Sequence, residues 1–163
     1  MFKNTGCLSS IEYSSLMPDE DRLNEGPVAI IECPEHIPCN PCQQACPRGA
    51  IQPFQKITDL PVIQFDLCNG CGNCISVCPG LAIYVIEKNY TPDTSLMKIP
   101  YEMLPIPEKN DICDILSREG SVIGRGRVER VQKYAFNPKG RVVWVEIPKK
   151  LYKEARNVRM VKE

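Results

Sequence analysis

Cys68, Cys71, Cys74 and Cys78, followed by Pro79, form a C-x2-C-x2-C-x3-C-P run, the spacing with which thiolates grip a cubane iron–sulfur cluster. Three thiols two residues apart can wrap one cluster because tight turns aim successive sulfurs inward, and Gly70 and Gly72 offer the positive φ such a loop demands. The fourth thiol is placed differently. It follows a helical turn and precedes proline, so its sulfur points away from its own loop and, in two-cluster proteins, reaches the other cluster. A partner motif is therefore expected.

That motif lies upstream, as Cys39, Cys42, Cys46 and Pro47. A shift of 32 residues carries these onto Cys71, Cys74, Cys78 and Pro79, and Ala50-Ile51 onto Ala82-Ile83, which marks an internal repeat. The same shift sets His36 opposite Cys68, and the nearest spare thiol, Cys33, stands three residues earlier. A soft thiolate suits an iron–sulfur cluster better than imidazole, which would raise its potential. Cys33 is the expected ligand and His36 the alternative, otherwise a solvated loop residue. Over residues 28–87 the sequence resembles the bacterial-type ferredoxins with two [4Fe-4S] clusters. The resemblance implies crossed ligation, with Cys33, Cys39, Cys42 and Cys78 on the first cluster and Cys68, Cys71, Cys74 and Cys46 on the second. The irregular spacing at Cys33 marks the first site as the labile one, open to a [3Fe-4S] form. Zinc can also use C-x2-C pairs, but it gives no reason for a repeated C-x3-C-P.

These loops need strands to hold them. Val28–Glu32 and Val62–Asp66 read as short apolar strands entering the two motifs, with Gly49–Ile51 and Leu81–Ile86 leaving them. Strand, loop, helical turn and strand thus occur twice. This matches the pseudo-two-fold α+β fold of the resembled ferredoxins, in which metal–thiolate bonds supply folding energy that a small hydrophobic core lacks.

At 163 residues, with 15 prolines and 10 glycines, the chain is expected to hold one ordinary domain or two small ones. Ten cysteines could serve a secreted disulfide scaffold, but the start of the chain has no basic stretch followed by an apolar one. A reducing, cytoplasmic setting is expected. No apolar run nears the ~18 residues of a membrane span, so no direct membrane insertion is expected. Residues 1–114 hold 7 Lys and Arg against 15 Asp and Glu, and residues 115–163 hold 13 against 5. Opposite halves of this kind can neutralise one another or steer a charged partner. Nucleic-acid binding is not expected, because the basic residues alternate with Val and Ile rather than forming a block with stacking aromatics.

Residues 1–27 read as an irregular N-terminal arm, with a short helix starting near Met17–Leu23 and Cys7 as a buried thiol. Residues 28–87 are the cluster domain. Residues 88–111, with Pro92, Pro100, Pro105 and Pro107, read as an extended linker. Residues 112–163 read as a separate basic, β-rich docking module: strands at 112–116, 121–131 and 141–147, a break at Gly124 and Gly126, a turn at Asn137–Gly140, a short helix from Pro148 and a last strand at 158–161. Cys113 is expected in its core.

Glu32-Cys33, Ile37–Cys42, the preceding Gly26-Pro27-Val28 and the tail Val142–Pro148 with Ala155–Arg159 resemble small iron–sulfur subunits of anaerobes. Those are encoded beside flavoprotein subunits of proline- and hydroxyproline-type amine or amino-acid dehydrogenases. The resemblance implies an electron-transfer subunit in a hetero-oligomer, with FAD or FMN on partner subunits only. The residues themselves suggest no catalytic site, since cysteine fills every ligand position and the C-terminal part has no histidine. An autonomous two-cluster ferredoxin, or a binding module with structural clusters, are the alternatives.

Overall fold

The computed structural model describes residues 2–134 and 137–161. It opens with three short helices, α1 (Phe2–Thr5), α2 (Ser10–Ser14) and α3 (Glu20–Glu25). Ser9 and Glu12 close a reciprocal capping box on α2, and the Asp19 side chain accepts from the Arg22 amide to start α3. Then come β1 (Val28–Ile31), α4 (Pro41–Gln44), a 3-10 turn at Phe65–Leu67, α5 (Asn73–Val77) and β2 (Ile83–Glu87). The remainder is β3 (Thr94–Tyr101), β4 (Ile112–Leu116), β5 (Val122–Tyr134), β6 (Asn137–Pro148), a 3-10 turn at Lys149–Leu151 and β7 (Asn157–Met160).

Among the described residues, seven strands join one sheet in the order β1-β2-β3-β6-β5-β4-β7, with every neighbouring pair antiparallel. The period-two alternation of side chains explains how this sheet serves two purposes. Val28, Ile30, Tyr84, Ile86, Val143 and Val145 point into a core shared with Cys113, Ile115, Val128 and Val158 of the far strands, with Tyr13 and Leu23 of the helices and with Leu8 between α1 and α2. Their neighbours Ala29, Ile31, Ile83, Val85 and Val142 face the other way, against Cys42, Cys74 and Ile75 of the cysteine loops. Covered on both faces, β1 is buried along its whole length.

Several expectations are corrected. Residues 88–111 are not an extended linker, because Thr94–Tyr101 is a strand pairing β2 on one side and, over eight residue pairs, β6 on the other. Pro100 is tolerated there because pairing with β2 ends at Lys98, so no partner awaits its missing N–H on that edge. Residues 112–163 are not a separate module either, since β6 continues the sheet that β1 begins. The N-terminal arm has the helix expected near Met17–Leu23, as α3, but it also carries α1 and α2 and packs on the core, so it is not irregular. The expected strand at Val62–Asp66 reduces to one bridge, Ile51 to Ile63, followed by the 3-10 turn. Gly124 and Gly126 do not break β5, as both pair with β4. Asn137–Gly140 lies inside β6 as an irregularity, where the Asn137 side chain accepts from the Gly140 amide at 2.9 Å and the register shifts between Lys133 and Tyr134.

A buried ion-pair cluster ties the C-terminal strands to the cysteine loops. Glu32, directly before Cys33, has a side chain only 7% exposed and pairs with Arg118 and Arg156. Tyr84 donates its hydroxyl to the same carboxylate at 2.7 Å. The basic half of the chain thus neutralises an acid of the front half at this point.

Candidate iron–sulfur centres

The repeat seen in the sequence returns in the hydrogen bonds. The Cys46 amide donates to the Gln43 carbonyl and the Cys78 amide to Ile75; the amides of Gly49 and Leu81 return to the carbonyls of Cys46 and Cys78. Next, the Ala50 amide points at Cys46 Sγ (3.3 Å) and the Ala82 amide at Cys78 Sγ (3.4 Å). Each pair of positions is related by the same shift. The turn that ends each motif therefore fixes its last sulfur with a peptide N–H, the kind of bond that tunes a thiolate–iron cluster. The repeat also requires left-handed backbone after each motif. Gly49 meets that need at φ 63°, but its counterpart Leu81 carries φ 51° with a branched side chain.

The eight motif cysteines gather around two cavities. Cys33, Cys39, Cys42 and Cys78 line one of about 390 Å³, open space at its mouth included. Cys46, Cys68, Cys71 and Cys74 line the other, of about 330 Å³. Each cavity takes three sulfurs from one loop and a fourth from the opposite motif. Four thiols around one hollow are the donor set that a cubane cluster takes. Among the described residues, no three His, Cys, Asp or Glu converge closely enough to share a single metal ion. The sulfurs instead surround a space, as donors to a cluster must. His36 stands outside the first cavity, with its Nδ1 3.0 Å from the Thr58 carbonyl, a partner to which it can only donate.

The electrostatics of the thiols fit the same group. Burial pushes the Cys42 thiol up to about 11, helped by its neighbours Cys78, Cys39 and Cys33. Cys33 is raised by burial and then by Cys78. Cys74 is raised strongly, again by burial first and then by Cys68, Cys71 and Cys46. Thiolates crowded like this need a cation among them to stay ionised, and iron ions supply that charge.

The second loop is the better supported. Gly70 has φ 63°, and a Cβ there would come within 2.5 Å of Pro27 Cβ. Arg22, on α3, donates to the carbonyls of Cys68 (2.6 Å) and Phe65 (2.9 Å). Lys98, on β3, donates to the Gly70 carbonyl at 2.7 Å. Cys68 Sγ accepts from the Ala29 amide (3.4 Å) and, more distantly, from Gly70 (3.5 Å). Neither Arg22 nor Lys98 stands out in the sequence, where each is an isolated basic residue in the acidic front part.

Residues 37–82 match the family described as a 4Fe-4S dicluster domain. This segment is a ferredoxin-type iron–sulfur domain. Cys33 falls just outside it. The chain is 43% identical over 49 residues to the ferredoxin-type protein NapF of Haemophilus influenzae, covering 29% of this chain and 28% of that protein. It is 32% identical over 84 residues to the polyferredoxin protein MvhB of Methanothermus fervidus, covering 52% and 18%. It is 35% identical over 54 residues to the polyferredoxin-like subunit of an aliphatic sulfonate oxidoreductase of Pyrococcus furiosus, covering 33% and 28%. The chain thus spans less than a third of each of these curated relatives. No solved structure matches it significantly.

Of the other cysteines, Cys113 is fully buried in the apolar core, and Cys7 is half-buried, its Sγ 3.2 Å from the Arg118 carbonyl. Neither lines a cysteine cavity. No helix among the described residues is long and apolar enough to cross a membrane.

Proposed function

We propose that this chain is an electron-transfer subunit that holds two [4Fe-4S] clusters and relays single electrons between a partner flavoprotein dehydrogenase and an onward acceptor. The observation that carries the reading is the division of eight thiols into two crossed sets of four, each around its own cavity. Cys33, Cys39, Cys42 and Cys78 would hold the first cluster and Cys46, Cys68, Cys71 and Cys74 the second. When bound, such clusters accept and release one electron at a time.

The chain's own residues do the rest. The interlocked fourth cysteines keep the two sites adjacent, since Cys46 and Cys78 each span from one loop to the other. Peptide N–H groups of Ala50 and Ala82 stabilise the sulfurs. Apolar side chains on the inner sheet face keep water away. The first site also has an apolar approach: Ile37 lines its cavity, and Ile57, whose carbonyl accepts from the Cys39 amide at 3.1 Å, is more than half exposed. Exposed aliphatic groups at the rim of a redox site suit contact with another protein, and the Pyrococcus furiosus relative is itself named as a subunit.

Purified anaerobically from its native cell, the chain should run in a species larger than its own 18.4 kDa with flavin on a second polypeptide. A free monomer carrying no flavin-bearing companion would contradict the subunit reading and leave an autonomous ferredoxin.

A further inference from the structure

The charges around the two cavities differ in sign, and we propose that Lys98 and Arg22 make the second cluster the electron sink of the pair. This rests on the two-cluster reading above. Lys98 is 7% exposed, which is unusual for a lysine. Its Nζ bonds the Gly70 carbonyl inside the loop that carries Cys68 and Cys71, and it sits 4.1 Å from the centroid of the Trp144 ring. Arg22 is 8% exposed and bonds the Cys68 carbonyl. Arg48 lines the same cavity. Burial works against the Lys98 charge while Glu87, Cys71 and Cys68 support it and Arg130 opposes it, and no ion pair joins Lys98 to an acid among the described residues.

At the first cavity the charged groups on the wall are Glu35 and Asp59. The nearby Glu32 carboxylate is already matched by Arg118 and Arg156. Adding an electron to an anionic cluster makes it more negative, so buried cations favour the reduced state and acids disfavour it. An electron that enters at the exposed, apolar rim of the first site therefore moves downhill to the second. The step makes and breaks no bond and moves no proton: the first cluster is oxidised by one electron as the second is reduced by one. Lys98 is a positioning residue here, since it acts on the cluster through charge and through the loop.

The test is an anaerobic redox titration of the cluster-loaded full chain, with titanium(III) citrate as reductant and EPR as the readout. Lys98→Gln keeps a donor for the Gly70 carbonyl and removes the charge. It should lower the potential of whichever component is reduced first in the unaltered protein and leave the other unmoved. The division of one electron between the sites should then change on the order of tenfold, which is about 59 mV for a one-electron couple. Lys98→Arg should restore it. Glu35→Lys tests the same gap from the other side, raising the later-reduced component alone, and stands if Lys98→Gln fails to load iron. The proposal is overturned if Lys98→Gln shifts the later-reduced component or neither, or if Lys98→Arg behaves like Lys98→Gln. Iron content of only one cluster in the unaltered chain would instead overturn the two-cluster reading beneath it.

Discussion

The two cysteine loops share a repeat and differ in nearly everything that surrounds it. Both end in the same turn, with the same amide-to-sulfur bond from Ala50 or Ala82. Yet the second loop is clamped by Arg22 from α3 and Lys98 from β3, while the first is bordered by acids and an exposed rim and takes Cys33 from beyond the repeat. The duplicated residues place the sulfurs. The residues that were never duplicated set the charge, exposure and rigidity of each site, and so make two similar centres unequal.

The strongest way to break this comparison is to cut one of the crossed ligands. Cys46→Ala should abolish the second cluster and spare the first, although Cys46 belongs to the first motif. Iron content should fall by half, and EPR of the reduced protein should keep the first signal. Loss of the first signal instead would mean that the sets are not crossed.

Glu32→Gln should cost about 3–5 kcal/mol, because it leaves Arg118 and Arg156 without their buried counter-charge. Anaerobic denaturant titration would measure it, and cluster loss should begin at the first site, next to Cys33. A change below 1 kcal/mol would mean the pair is solvated. Gly70→Ala should act on the other side. Its left-handed φ and the 2.5 Å approach to Pro27 predict about 1–3 kcal/mol of destabilisation, with the second cluster lost before the first. The smallest effect sharpens the comparison of the repeats. Leu81→Gly should gain about 1 kcal/mol by relieving a left-handed backbone, whereas Gly49→Leu should lose as much. Equal and opposite shifts in melting temperature would show the repeat's backbone demand directly.

Much of the centre was legible in the sequence, because cysteine spacing acts locally. The turns of the motifs are set by residues two to four apart, and those turns aim the sulfurs at the two cavities. Cys33 is favoured over His36 in the sequence by the softness of its thiolate, but where the two side chains lie is not legible there. His36 turns to the Thr58 carbonyl, 22 residues away, a contact that no local pattern announces. The sheet was hidden for a related reason. Prolines at 92, 100, 105 and 107 read as extended chain, and β3 is a strand because β2 pairs with it on one side and β6, 40 or more residues later, along its whole length on the other. The strands of the C-terminal part were visible from their alternation. Their union with β1 and β2 was not, since nothing local shows that β6 will dock on β3. Buried Lys98 and Arg22 escaped notice for the same cause: a basic residue looks solvated until its carbonyl partners are folded around it.

The central claim is that eight thiols hold two cubane clusters in crossed sets of four. It is tested most directly by iron and acid-labile sulfide analysis of the chain prepared anaerobically. The account predicts two [4Fe-4S] equivalents of iron and of sulfide per chain. A single equivalent, or zinc in place of iron, would contradict it.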